Sequence, residues 1–221
     1  MKTVLAKIPL REKKYARTKL AFAQALAESL EYKSLDDLSV KELCENTQLS
    51  EATFFNYFRK KSEVLAYIDQ LWSIEMNWYG ARAAETKPGL GVIDAVFGRA
   101  ADKASAQPGL MGELISQQAR SRDKPNHSEI TIAERLIAYP ELEDIATIPA
   151  GGLETILVPN IQQAVQLGEL PENTLLPTVM VSLISIFYGV PLVLRQSNPA
   201  SIGHMYRQQL SILWAGIRAL A

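Results

Sequence analysis

Apolar residues recur at three- and four-residue intervals through most of the chain, and no segment alternates with period two long enough to make a strand. The pattern predicts an all-α fold. A first helix is expected from about Arg11 to Tyr32, with Leu20, Ala23, Ala27 and Leu30 on one side and Lys13, Arg17 and Gln24 on another. Two short helices follow, then a long one from Ser62 to about Ala84 with a stripe of Val64, Ile68, Leu71, Trp72 and Met76. Further helices are expected over Val92 to Ala106, Leu110 to Arg122, Ser128 to Tyr139, Leu153 to Leu167, Thr174 to Arg195 and Ser201 to Leu220. Breakers separate them: Lys87-Pro88-Gly89, Gln107-Pro108-Gly109, Asp123-Lys124-Pro125-Asn126, Pro149 to Gly152, Gly168 to Pro171 and Asn198-Pro199. Residues 1 to 12 lack clear periodicity and contain Pro9, so a mobile basic arm is expected there, solvated or laid in a DNA minor groove.

The two short helices organise the rest. Ser39 and Ser50, eleven residues apart, each carry a hydroxyl able to accept an orphan N–H at a helix start. Val40, Leu43 and Cys44 form one apolar face; Phe54, Phe55 and Phe58 crowd the other, with Leu49 as an apolar staple. Neither face can be buried alone, so the pair must pack together and on the first helix. The remaining positions, Glu51, Thr53, Asn56 and Tyr57, hydrogen-bond, and Arg59, Lys60 and Lys61 follow. A short helix with polar tips and a basic exit suits a major groove, where base edges offer donors and acceptors and flanking phosphates attract cations. A helical hairpin kept for packing alone is the alternative.

Leu175 to Leu194 runs twenty residues without a charge, enough to span a membrane by length. Pro177 and Pro191, the hydroxyls of Thr178, Ser182 and Ser185, and the lack of a flanking basic cluster argue against that, so no membrane partner is expected. A helix apolar all round is otherwise a buried one. The final helix carries a stripe of Leu210, Leu213, Trp214 and Ile217.

Composition changes this picture only through its asymmetry. With 48% hydrophobic and 21% charged residues, the 221-residue chain is ordinary for a globular protein, and its length is read as two domains, 1–61 and 62–221. The net charge of −1 divides into 12 bases against 9 acids over residues 1–65 and 11 against 15 over the rest. A basic end on an acidic body fits a protein that offers one end to a polyanion. The single Cys44 behaves as a small apolar group and suits a reducing cytoplasm. The opening MKTVLAKIPLREKK lacks the long apolar core of a secretory signal. His127 and His204 have no second ligand at metal spacing, Glu141, Glu143 and Asp144 read as a solvated turn, and no phosphate loop, nucleophile elbow or carboxylate pair is evident. No metal, cofactor or catalytic residue is therefore expected.

From about Thr18 to Leu65 the chain resembles the DNA-binding domain of the TetR (tetracycline repressor) family, whose pattern runs roughly T-V-x-x-I-A-x-x-A-G-V-S-x-x-T-L-Y-x-Y-F-x-x-K-x-x-L. Matching or similar residues here are Ser39, Val40, Leu43, Cys44, Thr47, Leu49, Ser50, Thr53, Phe54, Phe55, Tyr57, Phe58, Lys61 and Val64. Three positions depart from it. Gln48 replaces the turn glycine, at a cost of roughly 1 kcal/mol if it must turn left-handed; Phe55 replaces a tyrosine commonly aimed at phosphate; Ser34 stands where a glycine usually ends the first helix.

The resemblance implies a helix-turn-helix domain followed by a helical ligand-binding and dimerisation domain, in a dimeric transcriptional regulator acting as a repressor. The segment from Ser50 to Phe58 would enter the major groove of double-stranded DNA, with Glu51, Ala52, Thr53 and Asn56 facing base edges and Ser39, Lys41, Tyr57 and Lys61 holding phosphates. The last two long helices, 174–195 and 201–220, would pair with their copies in a homodimer. A hydrophobic small-molecule effector would lie among Trp72, Met76, Phe97, Met111, Ile115, Gln118 and Tyr188. The readings from other classes are a small-molecule-binding or interaction protein without DNA binding, and an all-α enzyme.

Overall fold

Each apolar period in the sequence is realised as a helix in the computed structural model, which describes residues 2–120 and 129–220. His127, the breaker at 123–126, Arg122 and the expected helix start at Ser128 lie outside the described residues. The α-helices are α1 (Lys2–Lys7), α2 (Leu10–Ser29), α3 (Val40–Thr47), α4 (Glu51–Tyr57), α5 (Lys61–Ala84), α6 (Leu90–Ala106), α7 (Pro108–Arg120), α8 (Ile132–Ala138), α9 (Leu153–Gln166), α10 (Leu176–Leu194) and α11 (Ile202–Ala219), with single 3-10 turns at Ile145–Thr147 and Pro199–Ser201. No strand occurs among the described residues.

The chain forms two compact units, one of Met1–Ile74 with Glu113–Ile148 and one of Glu75–Gly112 with Pro149–Ala221. This differs from the division expected at residue 61, because the segment around α8 packs with α2 rather than with the later helices.

In the first unit, α2 buries Ala16, Phe22, Ala23, Leu26 and Ala27. Phe22 meets Phe54 edge-on at 5.2 Å and Phe58 at 6.4 Å, which seals α2, α3 and α4 into one core. The basic arm expected at residues 1–12 is instead helical over Lys2–Lys7: Pro9 breaks the helix only after two turns and then precedes α2 as its N-cap residue. Ser62, expected as the cap of the long helix, lies inside its first turn, and the Glu63 carboxylate accepts the Arg59 N–H at 2.8 Å. α8 begins with a reciprocal cap: Thr131 Oγ1 accepts the Glu134 N–H at 3.3 Å and Glu134 Oε2 accepts the Thr131 N–H at 2.7 Å. Glu134 Oε1 faces Lys19 Nζ at 2.6 Å in an ion pair whose two side chains are 6% and 0% exposed. Arg135 donates to the carbonyls of Ile130, Ala146 and Ile148, so the turn after α8 hangs from one guanidinium.

In the second unit, α6, α9, α10 and α11 surround an aromatic centre. Phe97 lies edge-on to Phe187 at 5.3 Å and to Tyr206 at 5.0 Å. Pro191, inside α10, has no N–H for the Phe187 carbonyl four residues before it, and the Tyr206 hydroxyl donates to that carbonyl at 2.5 Å. Burial holds the Tyr206 pKa well above the usual phenol range, so the hydroxyl keeps its proton. Glu75, 1% exposed, takes two hydrogen bonds from Arg99 and an ion pair from Lys103 at 2.7 Å. Gly89 precedes α6 at φ 71° while Glu169 accepts the Leu90 N–H at 2.9 Å; a side chain there would meet both the backbone conformation and that carboxylate.

α10 is not buried on all sides as its composition suggested. Val181 is 67%, Leu192 51% and Val193 72% exposed, and on α11 Ile212 is 65% exposed. The helix is long and apolar enough to cross a membrane, with 22% of its span buried within this chain.

Candidate nucleic-acid interface

The α3–turn–α4 segment is built by its caps. Ser39 Oγ accepts the Glu42 N–H at 3.1 Å while Glu42 Oε2 accepts the Ser39 N–H at 2.8 Å, a complete capping box. Lys33 also bonds Glu42, and with Ser39 it holds the Glu42 carboxyl down at about 2 from its ordinary 4.5. Ser50 Oγ accepts the Thr53 N–H at 3.1 Å and lies 2.9 Å from the Thr53 hydroxyl. Both hydroxyls therefore do the work expected of them at helix starts.

Between the helices Gln48 sits at φ 56°, ψ 32°, the left-handed conformation anticipated where the family pattern has glycine. Its N–H and that of Leu49 return to the Glu45 and Cys44 carbonyls at 3.2 and 3.0 Å, closing the end of α3. Ser34 does not need a glycine's freedom, because its φ is not positive. Its hydroxyl instead donates to Asp37 Oδ2 at 2.6 Å and accepts the Asp37 N–H at 3.2 Å, tying the turn that leads into α3.

On α4, Glu51, Ala52, Phe55 and Asn56 are exposed, Thr53 and Tyr57 are half-buried, and Phe54 is fully buried. At about 100° per residue the exposed four span an arc of roughly 140° in the order Glu51, Phe55, Ala52, Asn56. Phe55 thus lies within the outward face, 55% exposed, and not in the core with its neighbours as periodicity suggested. Its ring leans on the buried Phe54 ring, edge-on with centroids 5.4 Å apart. Tyr57 lies against Tyr15 of α2 at 4.7 Å with planes tilted by 39°. Burial, then the nearby Glu134 and Tyr57, raises the Tyr15 pKa.

Around this face Ser39 is exposed, and Lys41 is 75% exposed with Glu45 3.8 Å away, an ion pair loose enough to exchange for another anion. Arg59 and Lys60 are exposed beyond the end of α4. Lys61 is placed differently: its ammonium donates to the carbonyls of Leu35, Asp36 and Leu38. All three of its protons are occupied by the loop before α3, so its geometry is that of a strut and not of a phosphate clamp. Cys44 is buried, and burial, then Glu51 and Glu45, raises its thiol pKa.

The seven residues expected to line an effector site divide between the units. Trp72 and Ile115 are half-buried and Gln118 exposed in the first. In the second, Met76, Phe97 and Met111 are buried and Tyr188 is half-buried, its ring 5.2 Å from Phe187. Among the described residues no group of three or more His, Cys, Asp or Glu is placed to hold a metal.

No family model matches the sequence, and no curated protein is significantly similar to it. Solved structures do align with it. FadR of Thermus thermophilus, a TetR family transcriptional repressor in complex with lauroyl-CoA, superposes with a TM-score of 0.58 over 88% of this chain and 92% of its own, at 16% identity. A TetR family transcriptional regulator from Chloroflexus aurantiacus aligns over 99% of this chain and 91% of its own, at 15% identity and a TM-score of 0.47. The likeness to FadR shows that the chain has the same fold.

Proposed function

We propose that the protein is a ligand-responsive dimeric DNA-binding transcriptional regulator, a repressor, that docks α4 from each of two copies into successive major grooves about 34 to 36 Å apart on a pseudo-palindromic operator. The observation that carries this reading is the outward arc of α4, set on a helix whose start is capped and whose inner face is locked by Phe54 into an aromatic core. Glu51, Ala52, Thr53 and Asn56 face base edges. Ser39, Lys41, Ser50 and Tyr57 approach phosphates, and Lys61 positions the loop that carries Ser39. The first compact unit, which carries α2 to α4, is the reading domain, and the second is the regulatory and dimerisation domain. The fold shared with a TetR family repressor supports the reading.

The uncovered apolar residues of α10 and α11 support a homodimer through these two helices. An isologous contact buries the same face twice, which suits the apolar exposed residues of α10, joined by Ile212 on α11. Occupation by a second copy also removes any need for a membrane around α10.

The effector is a hydrophobic small molecule lodged in the second unit near Met76, Phe97, Met111 and Tyr188. It releases DNA by binding one conformation better than the other, since an equilibrium shifts only by differential affinity. The lauroyl-CoA held by FadR makes acyl compounds the first class to try. The protein works in the cytoplasm, where the lone thiol of Cys44 stays reduced. A gel shift on the duplex upstream of the protein's own reading frame, at two salt concentrations, tests the reading. Binding that weakens steeply with salt supports it. Absence of any retarded species at low salt would leave the helical hairpin as a packing device.

A further inference from the structure

Within the α4 arc two neighbouring residues, Phe55 and Ala52, have no hydrogen-bonding side chain. Phe55 is 55% exposed, is followed around the helix by the methyl of Ala52, and is flanked by the carboxylate of Glu51 and the amide of Asn56. Exposing an aromatic ring in the middle of a polar face is unfavourable in water relative to burying it. The ring lies edge-on to the buried Phe54 ring with centroids 5.4 Å apart, a contact that favours this outward position. Its surroundings carry a surplus of positive charge: residues 1–65 hold 12 bases against 9 acids, and Arg59 and Lys60 are exposed beyond the helix end. An apolar knob in a hydrogen-bonding face with exposed bases at its edge fits a polyanion that presents an apolar group among polar ones. In the major groove only thymine does so, through its C5-methyl group.

We propose that Phe55, with Ala52 beside it, is the residue that selects thymine at one position of each operator half-site, by packing on that methyl group. This inference rests on the DNA-binding reading above. Glu51 and Asn56 on either side then govern the flanking base pairs through hydrogen bonds, so the half-site is read as polar, apolar, polar. A tyrosine at this position would carry a hydroxyl past the methyl; its absence makes the contact purely apolar.

The test uses the full-length protein and duplex DNA. A selection from a randomised duplex library yields the preferred site, and each thymine of that site is then replaced in turn by deoxyuridine, which removes the methyl and keeps every hydrogen-bonding group. One thymine per half-site is expected to weaken binding about four-fold on replacement, and about fifteen-fold when both half-sites are changed. Phe55→Ala is expected to bind the thymine and uracil duplexes equally, while Phe55→Leu retains part of the discrimination. Uracil tolerated at every position by the wild-type protein, which involves no variant that has to fold, would overturn the assignment while leaving DNA binding intact. Discrimination that survives in Phe55→Ala would do the same, as would a change in oligomeric state in that variant, which would give the ring to a protein contact. Failure to retain any duplex in the selection is a different result and removes the DNA-binding reading itself.

Discussion

The α4 region and the α10–α11 pair are both helices with an uncovered face, and they are held in opposite ways. α4 shows polar side chains and is fixed by directional bonds: the Ser39–Glu42 box, the Ser50 cap, the Ser34 turn and the Lys61 strut. α10 shows Val181, Leu192 and Val193 and is held mainly by packing, while Tyr206 donates to the carbonyl that Pro191 leaves open. In the role proposed for it, the α4 face must stand at a fixed angle, because hydrogen bonds weaken steeply when misaligned. A face meant for another apolar surface needs area more than angle.

Breaking the polar side of this contrast is expected to have the largest effect. Lys19→Met leaves the Glu134 carboxylate buried without its partner and should destabilise the first unit by about 3–5 kcal/mol, read as a lowered urea midpoint. On the apolar side, Val181→Glu places a charge in the α10 face proposed to pair with a second copy. It should weaken dimerisation by about 3 kcal/mol, seen by sedimentation as a shift to monomer at micromolar concentration; an unchanged dimer would move the interface off α10. Tyr206→Phe should cost about 1–3 kcal/mol by orphaning the Phe187 carbonyl, and Pro191→Ala in the same chain should return part of it by restoring an N–H. Gln48→Gly relieves a left-handed side chain and should stabilise by up to about 1 kcal/mol, offset by the freer unfolded chain.

The smallest effect sharpens the comparison by pH. The Glu42 carboxyl is held at about 2, below its ordinary 4.5, by Lys33 and then Ser39. A lowered pKa means the folded form prefers the ionised group. Its contribution is therefore complete above pH 4.5 and disappears as pH falls toward 2. Unfolding of wild type and Glu42→Gln followed between pH 5 and 2 should converge at the acid end, with the difference confined to the start of α3.

What was legible in the sequence was mostly local. Ser39 and Ser50 announce helix starts because a cap needs only a hydroxyl and the N–H groups two or three residues on, and Gln48 announces strain because the turn fixes its conformation. Phe55 was not legible: periodicity assigns an aromatic residue to the inside, and only the position of the α2 core decides which of three phenylalanines is left out. Lys19 was missed for the converse reason, since nothing within α2 reveals a carboxylate more than a hundred residues later. Lys61 matched a family position by type, while its partners are carbonyls that come together only once the loop at 35–38 has folded. The helical start of the chain was hidden by Pro9, which ends α1 but does not prevent it.

The ion pair between Lys19 and Glu134 also sets an order of events during synthesis. The ammonium on α2 finds its counter-charge only after the polypeptide has been extended through α8, and the first compact unit is complete only at Ile148. At typical elongation rates the stretch from Lys61 to Ile148 takes on the order of ten seconds to emerge. The first compact unit, α4 included, is therefore complete only after roughly two thirds of the chain has left the ribosome.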